Sequence, residues 1–141
     1  MEIIAIIAAL VAVAISFASF WVSKQAFQLA KKKDNDEQIV KKSASIKAEH
    51  RRTKGRLYSD LIISNIGMSD AKNVRVVSVT EGIALSFQDV ENPYSLLSSG
   101  DSYTIQMFNR TESNNAPLML MWDDENKTGN KREQNLYIGL R

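Results

Sequence analysis

The 141-residue chain contains no cysteine, one histidine and two prolines. Without cysteine, disulfides and thiolate chemistry are excluded. That fits a reducing compartment, and many exported domains share the same lack. His50 has no second histidine and no cysteine to join it. It reads as a surface residue and not as a ligand or a base. The sequence also lacks a phosphate-binding glycine-rich loop, a nucleophile elbow and a metal-ligand cluster. With no constellation to carry catalysis, a non-enzymatic protein without cofactor or metal is expected. One further lack concerns charge. Before Ser23 the only charged side chain is Glu2.

What occupies that uncharged stretch is Ile3 to Val22, twenty residues whose only polar members are Ser16 and Ser19. As a helix it would span roughly 30 Å, the thickness of a bilayer's hydrocarbon core. A cleaved signal peptide would need a basic leading region and a small-residue cleavage site. Here Met1 and Glu2 precede the run, and Phe17, Phe20, Trp21 and Val22 close it. An uncleaved transmembrane anchor over residues 1–22 is the expectation, with Trp21 at the interface.

The segment after the run fixes an orientation. Lys24, Lys31, Lys32, Lys33, Lys41 and Lys42 follow it, and no Lys or Arg precedes it. Lysine and arginine close to a span stay on the cytoplasmic side. The expected arrangement is an N-terminus outside and the remainder in the cytoplasm, with the lysines drawn to anionic membrane lipid. Charge divides the chain further. Lys24–Arg56 holds eleven Lys/Arg against four Asp/Glu, whereas Leu57–Arg141 holds seven against eleven.

Small residues recur at Ala5, Ala9, Ala12, Ser16 and Ser19, and the spacing continues through Ser23, Ala26 and Ala30. Such a seam lets helix backbones approach closely, and packing is what associates helices in lipid. It points to a homo-oligomer or a protein partner through the transmembrane helix. Residues 23–42 form a basic juxtamembrane stalk without Gly or Pro. Its helix is expected to weaken at Asp34–Asp36, with Ile39 and Val40 on a second helical stretch.

From Ser43 the period changes. Ala44, Ile46 and Ala48 alternate with Ser45, Lys47 and Glu49, which is strand spacing. Six further strands are read in "RLYSDLIISN", "VRVVSV", "IALSF", "SYTIQMF", "PLMLMW" and "NLYIGL". Turn residues separate them, and no helical run is long enough for a crossover. About seven short strands over residues 43–141 predict an antiparallel β-sandwich. Alternation points Ile105, Met107, Leu118, Leu120, Trp122, Leu136, Ile138 and Leu140 inward.

"LIISNIGMSDAKNVRV" resembles the strand–turn–strand signature of immunoglobulin-like bacterial modules of the cell-adhesion-related type. The positions that carry the resemblance are Leu61, Ile63, Asn65, Gly67, Ala71, Asn73, Val74 and Val76. "SSGDSYTI" is similar to the start of a later strand in the same modules. The resemblance implies an immunoglobulin-like sandwich that binds or spaces and carries no catalytic motif. These modules are mostly found outside the cytoplasm, a departure from the side that the lysines indicate. In such a turn Gly67 is expected to adopt a backbone angle barred to most residues, and Asn65 or Asn73 to cap turn amides.

Two other motifs weigh little. From Asp124 the loop reads D-x-N-x-T-G, the start of a calcium loop, but its twelfth position is Asn135 where a glutamate is required. The sequons at Asn109 and Asn126 are inert in the cytoplasm. The expected function is therefore protein–protein interaction or assembly at the membrane. The alternative is binding of anionic lipid or nucleic acid by the basic stalk. Nucleic acid is the weaker part of that alternative, because Phe27 is the stalk's only aromatic residue.

Overall fold

The computed structural model describes residues 2–52, 55–110 and 113–139, without the side chains of 2, 4, 5 and 8–11. The chain divides into two compact units, Met1–Gln38 and Ile39–Arg141. Leu140 lies outside the described residues.

One helix, α1, runs from Glu2 to Lys41. The interruption expected at Asp34–Asp36 is absent. Asp and Asn cost only tenths of a kcal/mol each relative to their neighbours, while Lys, Gln, Ala and Glu around them favour the helix. The helix ends through local bonds. Lys42 N donates to Ile39 O, Ser43 N to Val40 O, and the Ser43 hydroxyl to Ile39 O. Among the described residues no helix is long and apolar enough to cross a membrane. Six side chains of the Ile3–Val22 run, those of 4, 5 and 8–11, fall outside that description.

The remainder is a two-sheet antiparallel sandwich consistent with an immunoglobulin-like fold. Its strands among the described residues are β1 (Ile46–Arg52), β2 (Ser59–Asn65), β3 (Ala71–Ser78), β4 (Ile83–Ser86), β5 (Tyr94–Leu97), β6 (Ser102–Asn109), β7 (Asn115–Asp123) and β8 (Asn130–Tyr137). One sheet has the order β1-β2-β6-β4, the other β5-β3-β7-β8. Period-2 alternation supplies the core. Ile46, Ala48, Leu61, Ile63, Ile105 and Met107 from the first sheet meet Val74, Val76, Leu118, Leu120, Trp122 and Leu136 from the second.

Eight strands stand where seven are expected, because β5 escapes the sequence reading, and β8 begins at Asn130 and not at Asn135. Both are edge strands of one sheet. Lys131, Arg132 and Glu133 of β8 are all exposed. Backbone pairing with Met121, Leu120 and Met119 makes them a strand, so no apolar alternation announces it.

The edge at β1 is closed by a side chain from the other sheet. Gln134 Nε2 donates to Ala48 O at 2.6 Å, and its Oε1 accepts from Ala48 N at 3.0 Å. One amide thus satisfies both backbone groups of Ala48 and denies them to a further strand.

The left-handed backbone expected at Gly67 is also absent. Positive φ falls at Gly55, Gly82, Gly100 and Gly129 instead. Gly67 is required by space: a Cβ there would collide with Ser45 N and come within 2.6 Å of Ala44 Cα. Gly67→Ala should therefore destabilise by about 1–3 kcal/mol, as overpacking against backbone does. Gly55→Ala, with φ +81° and open space around it, should cost about 1 kcal/mol from backbone strain alone. Urea midpoints for the two variants test the difference; equal losses would remove the close approach as the reason for Gly67.

Candidate functional site

The sequence-identified turn lies at the end of the sandwich where the chain enters β1. Asn65 closes β2 and is 1% exposed. Its Oδ1 accepts from Gly67 N at 3.0 Å and Ser45 N at 3.2 Å. Its Nδ2 donates to Ser69 O at 2.8 Å and Leu97 O at 3.0 Å. The backbone is used as well: Asn65 N donates to Asp101 O, and Gly100 N donates to Asn65 O. The capping role expected of Asn65 is present, and it reaches beyond the turn. One buried amide joins residues 43–45, 65–69 and 97–101. Ala71 is fully buried opposite Leu97.

Further bonds tighten this junction. The Ser99 hydroxyl donates to Gly67 O at 2.6 Å, and Ser99 N donates to the Asp70 carboxylate. Met68 N and Ser69 N both donate to Ser43 O. On this fixed turn Ile66 and Met68 stand 61% and 66% exposed. Apolar side chains presented from rigid backbone suit contact with another protein better than chemistry.

Asn73 does not cap turn amides. It adopts φ 52° at a register shift between Lys72 and Arg75. Asparagine tolerates that region better than most residues. Its Nδ2 donates to Asp123 Oδ2 at 2.9 Å. Asp123 Oδ1 accepts from Gly129 N, and the Asn73 and Gly129 bonds together hold this carboxyl below its ordinary value. Asp124 Oδ1 accepts from Asn126 N and Lys127 N, while Oδ2 accepts from Ala44 N. Both carboxylates of the calcium-like loop thus close a hairpin. Among the described residues no group of three His, Cys, Asp or Glu is placed to hold a metal.

On α1, Ala12, Ser16 and Ser19 are exposed, while the side chains of Ala5 and Ala9 lie outside the described residues. Ser16 spends its hydroxyl on Ala12 O of its own helix, at 2.8 Å. Lys24, Lys31, Lys32, Lys33, Lys41 and Lys42 are all exposed. At about 100° per residue the five lysines on α1 spread around its axis and form no single basic face, and Lys42 follows the helix end.

Two surfaces were not legible in the sequence. On the outward side of the β5-β3-β7-β8 sheet, Val77 pairs with Met119 and Arg75 with Met121, and Val79 and Tyr137 stand exposed nearby. At the end of the sandwich where β1 stops, His50, Arg52, Arg56, Tyr58 and Asn109 surround a cleft. His50 is half-buried there, in the wall of the cleft. Burial, and then the charge of Arg52, push its pKa down. Neither surface has a sequence signal, because each is assembled from separate strands.

Asn65→Ala should cost about 3 kcal/mol or more, since each buried group left unsatisfied costs about 1–3 kcal/mol. Asn73→Gly keeps the positive φ and loses one exposed bond, so under about 1 kcal/mol is expected. Thermal melting of both variants beside the parent decides it; comparable losses would mean that the buried amide does not organise the junction.

No family model matches the chain, and no curated protein does. Among solved structures it is similar to the crystal structure of the yeast GGA1 GAE domain–P21, with 14% identity and a TM-score of 0.46 over 68% of this chain and 91% of that one. It is also similar to the secreted serine protease VesC from Vibrio cholerae, with 22% identity and a TM-score of 0.37 over 72% of this chain. The match spans 23% of VesC's length.

Proposed function

We propose that this chain is a single-pass, membrane-anchored and non-enzymatic protein whose β-sandwich mediates protein–protein interaction or assembly. The reading divides it into an anchor over residues 1–22, a basic stalk over 23–42 and the sandwich over 43–141. Its main support is the uncharged run Ile3–Val22, where Ile15, Phe17, Phe20 and Trp21 stand exposed on a continuous helix. Large apolar side chains exposed in this density call for lipid or another helix. The sandwich adds a second support. The polar side chains of its junction and hairpin are occupied internally, while Ile66, Met68, Val77 and Val79 face outward. The resemblance to modules of the cell-adhesion-related type belongs to the same reading, as does the absence of a catalytic constellation.

In this reading the six stalk lysines hold residues 23–141 on the cytoplasmic side. Thr128, exposed on the β7–β8 loop, is a suitable reporter because the chain has no native cysteine. A Thr128→Cys variant should resist a membrane-impermeant thiol reagent in intact cells and react after permeabilisation. Labelling in intact cells would place the sandwich outside and overturn the orientation. The alternative function, with the stalk gripping anionic lipid or nucleic acid, follows from the same lysines and gains no support from their spread around the helix.

The small-residue seam is the proposed assembly element. Ala12→Ile adds volume at its centre without lowering hydrophobicity. Insertion should survive while association loses about 1–3 kcal/mol of close packing. Val13→Leu, off the seam, should change little. Crosslinking in native membranes should give a reduced ladder for Ala12→Ile only. Equal ladders for all three proteins would remove the seam from the proposal.

A further inference from the structure

The cleft at the end of β1 has a composition that selects its ligand. Its wall is built from the end of β1 (His50 and Arg52), the connection to β2 (Arg56 and Tyr58) and the last residue of β6 (Asn109). Its floor includes Met107 and Ile138, both buried. The volume is about 140 Å³. Pockets that bury a whole small molecule run to roughly 300–1,000 Å³. This one has room for a side chain's head group.

Two guanidinium groups line the cleft and, among the described residues, no carboxylate does. The ion pair among the described residues is Lys47 with Glu49, on β1 outside the cleft. Arg52 and Arg56 therefore face it without an acidic partner among those residues. Arg56 is held in place, lying 5.3 Å from the centre of the Tyr58 ring, and Tyr58 is 5.8 Å from the ring of Phe108. A guanidinium braced on an aromatic face retains its fork of donors for a planar anion. Arg52 also lies close enough to half-buried His50 that its charge, after burial, lowers the imidazole pKa. Leu57, 97% exposed, stands on the rim as an apolar contact.

We propose that this cleft binds an acidic peptide segment of a partner protein, taking a carboxylate between Arg52 and Arg56 and an adjoining apolar residue against Leu57. Charge distribution favours a peptide over nucleic acid. Residues 43–141 hold twelve Lys/Arg against twelve Asp/Glu, so no general basic surplus follows a polyphosphate beyond the cleft, whereas a short peptide ends its negative charge within it. The proposal rests on the interaction reading of the sandwich and names the class of partner.

The test uses the full chain in non-ionic detergent and fluorescein-labelled Gly-Glu-Leu-Glu-Gly, followed by anisotropy at low salt. The glutamine counterpart of that peptide and a single-stranded oligonucleotide serve as comparisons. The acidic peptide should bind, the glutamine peptide should bind at least ten-fold more weakly, and Arg52→Gln with Arg56→Gln should lose at least ten-fold. The pair Lys131→Gln and Arg132→Gln, exposed on β8, should leave binding unchanged. Absent binding, equal binding of the glutamine peptide, survival in the Arg52/Arg56 variant, or tighter binding of the oligonucleotide through the same arginines would each overturn it. The two readings fail differently. Peptide binding lost while crosslinked complexes persist in membranes removes the cleft alone, and loss of both removes the interaction reading.

Discussion

A single side-chain amide organises one end of this sandwich. Asn65 is buried, and both atoms of its amide are used twice. A polar group taken out of water is costly unless paired, so the site admits few alternatives. Aspartate would lose the donors to Ser69 and Leu97, and leucine would lose everything. Because the four partners come from three separate segments, the amide sets where β1 begins, how the β2–β3 turn folds and where the β5–β6 loop sits. The absence of a Cβ at Gly67 belongs to the same junction, since the turn can pass over Ala44 and Ser45 only without it. Ile66 and Met68 are exposed as a consequence, on backbone that is bonded on both sides.

The sandwich manages its edges by substitution. Gln134 offers Ala48 the donor and acceptor that another strand would offer, so the device that closes this edge also fastens one sheet to the other. Asp124 Oδ2 accepts from Ala44 N and ties the β7–β8 turn to the segment before β1. The hairpin acidic residues are understood in this light. Asp123 and Asp124 resemble a cation loop in one dimension, yet their oxygens are filled by Gly129, Asn73, Asn126, Lys127 and Ala44. A carboxylate that already accepts backbone N–H groups has little left for an ion.

The two units differ in where their apolar side chains lie. In the sandwich the large apolar side chains are mostly interior, and its outward apolar residues are scattered over the turn and one sheet face. On α1 the described ones from Ile3 to Val22 are exposed, and no charge interrupts the sequence between Glu2 and Lys24. The proposed anchor follows from that contrast. In the proposed reading, the boundary where the run ends would set Trp21 at an interface and the lysines from Lys24 onward beyond it.

Period and composition are local, and what depends on them was legible in the sequence. Alternation at Ala44, Ile46 and Ala48, and at Leu118, Leu120 and Trp122, fixes which face of each strand is buried. The lack of Gly and Pro in residues 23–42 permits one helix, and Asp34–Asp36 do not interrupt it. β5 and the first half of β8 were not legible, because an edge strand with one wet face and polar residues gains its conformation from its neighbour. Asn73 could not be told from Asn65, nor could a glycine required for space be told from one required for φ, because the deciding contacts cross the chain. Asn65 meets Leu97 thirty-two positions away, and Gln134 meets Ala48 at a separation of eighty-six. The basic cleft has the same origin: Arg52, Tyr58 and Asn109 become neighbours only when β2 pairs with both β1 and β6. The sequence by itself determined a charged boundary, a helix and a set of alternating strands. Tertiary structure alone decided which polar groups are consumed inside and which are left facing out, because that depends on partners that pairing brings together.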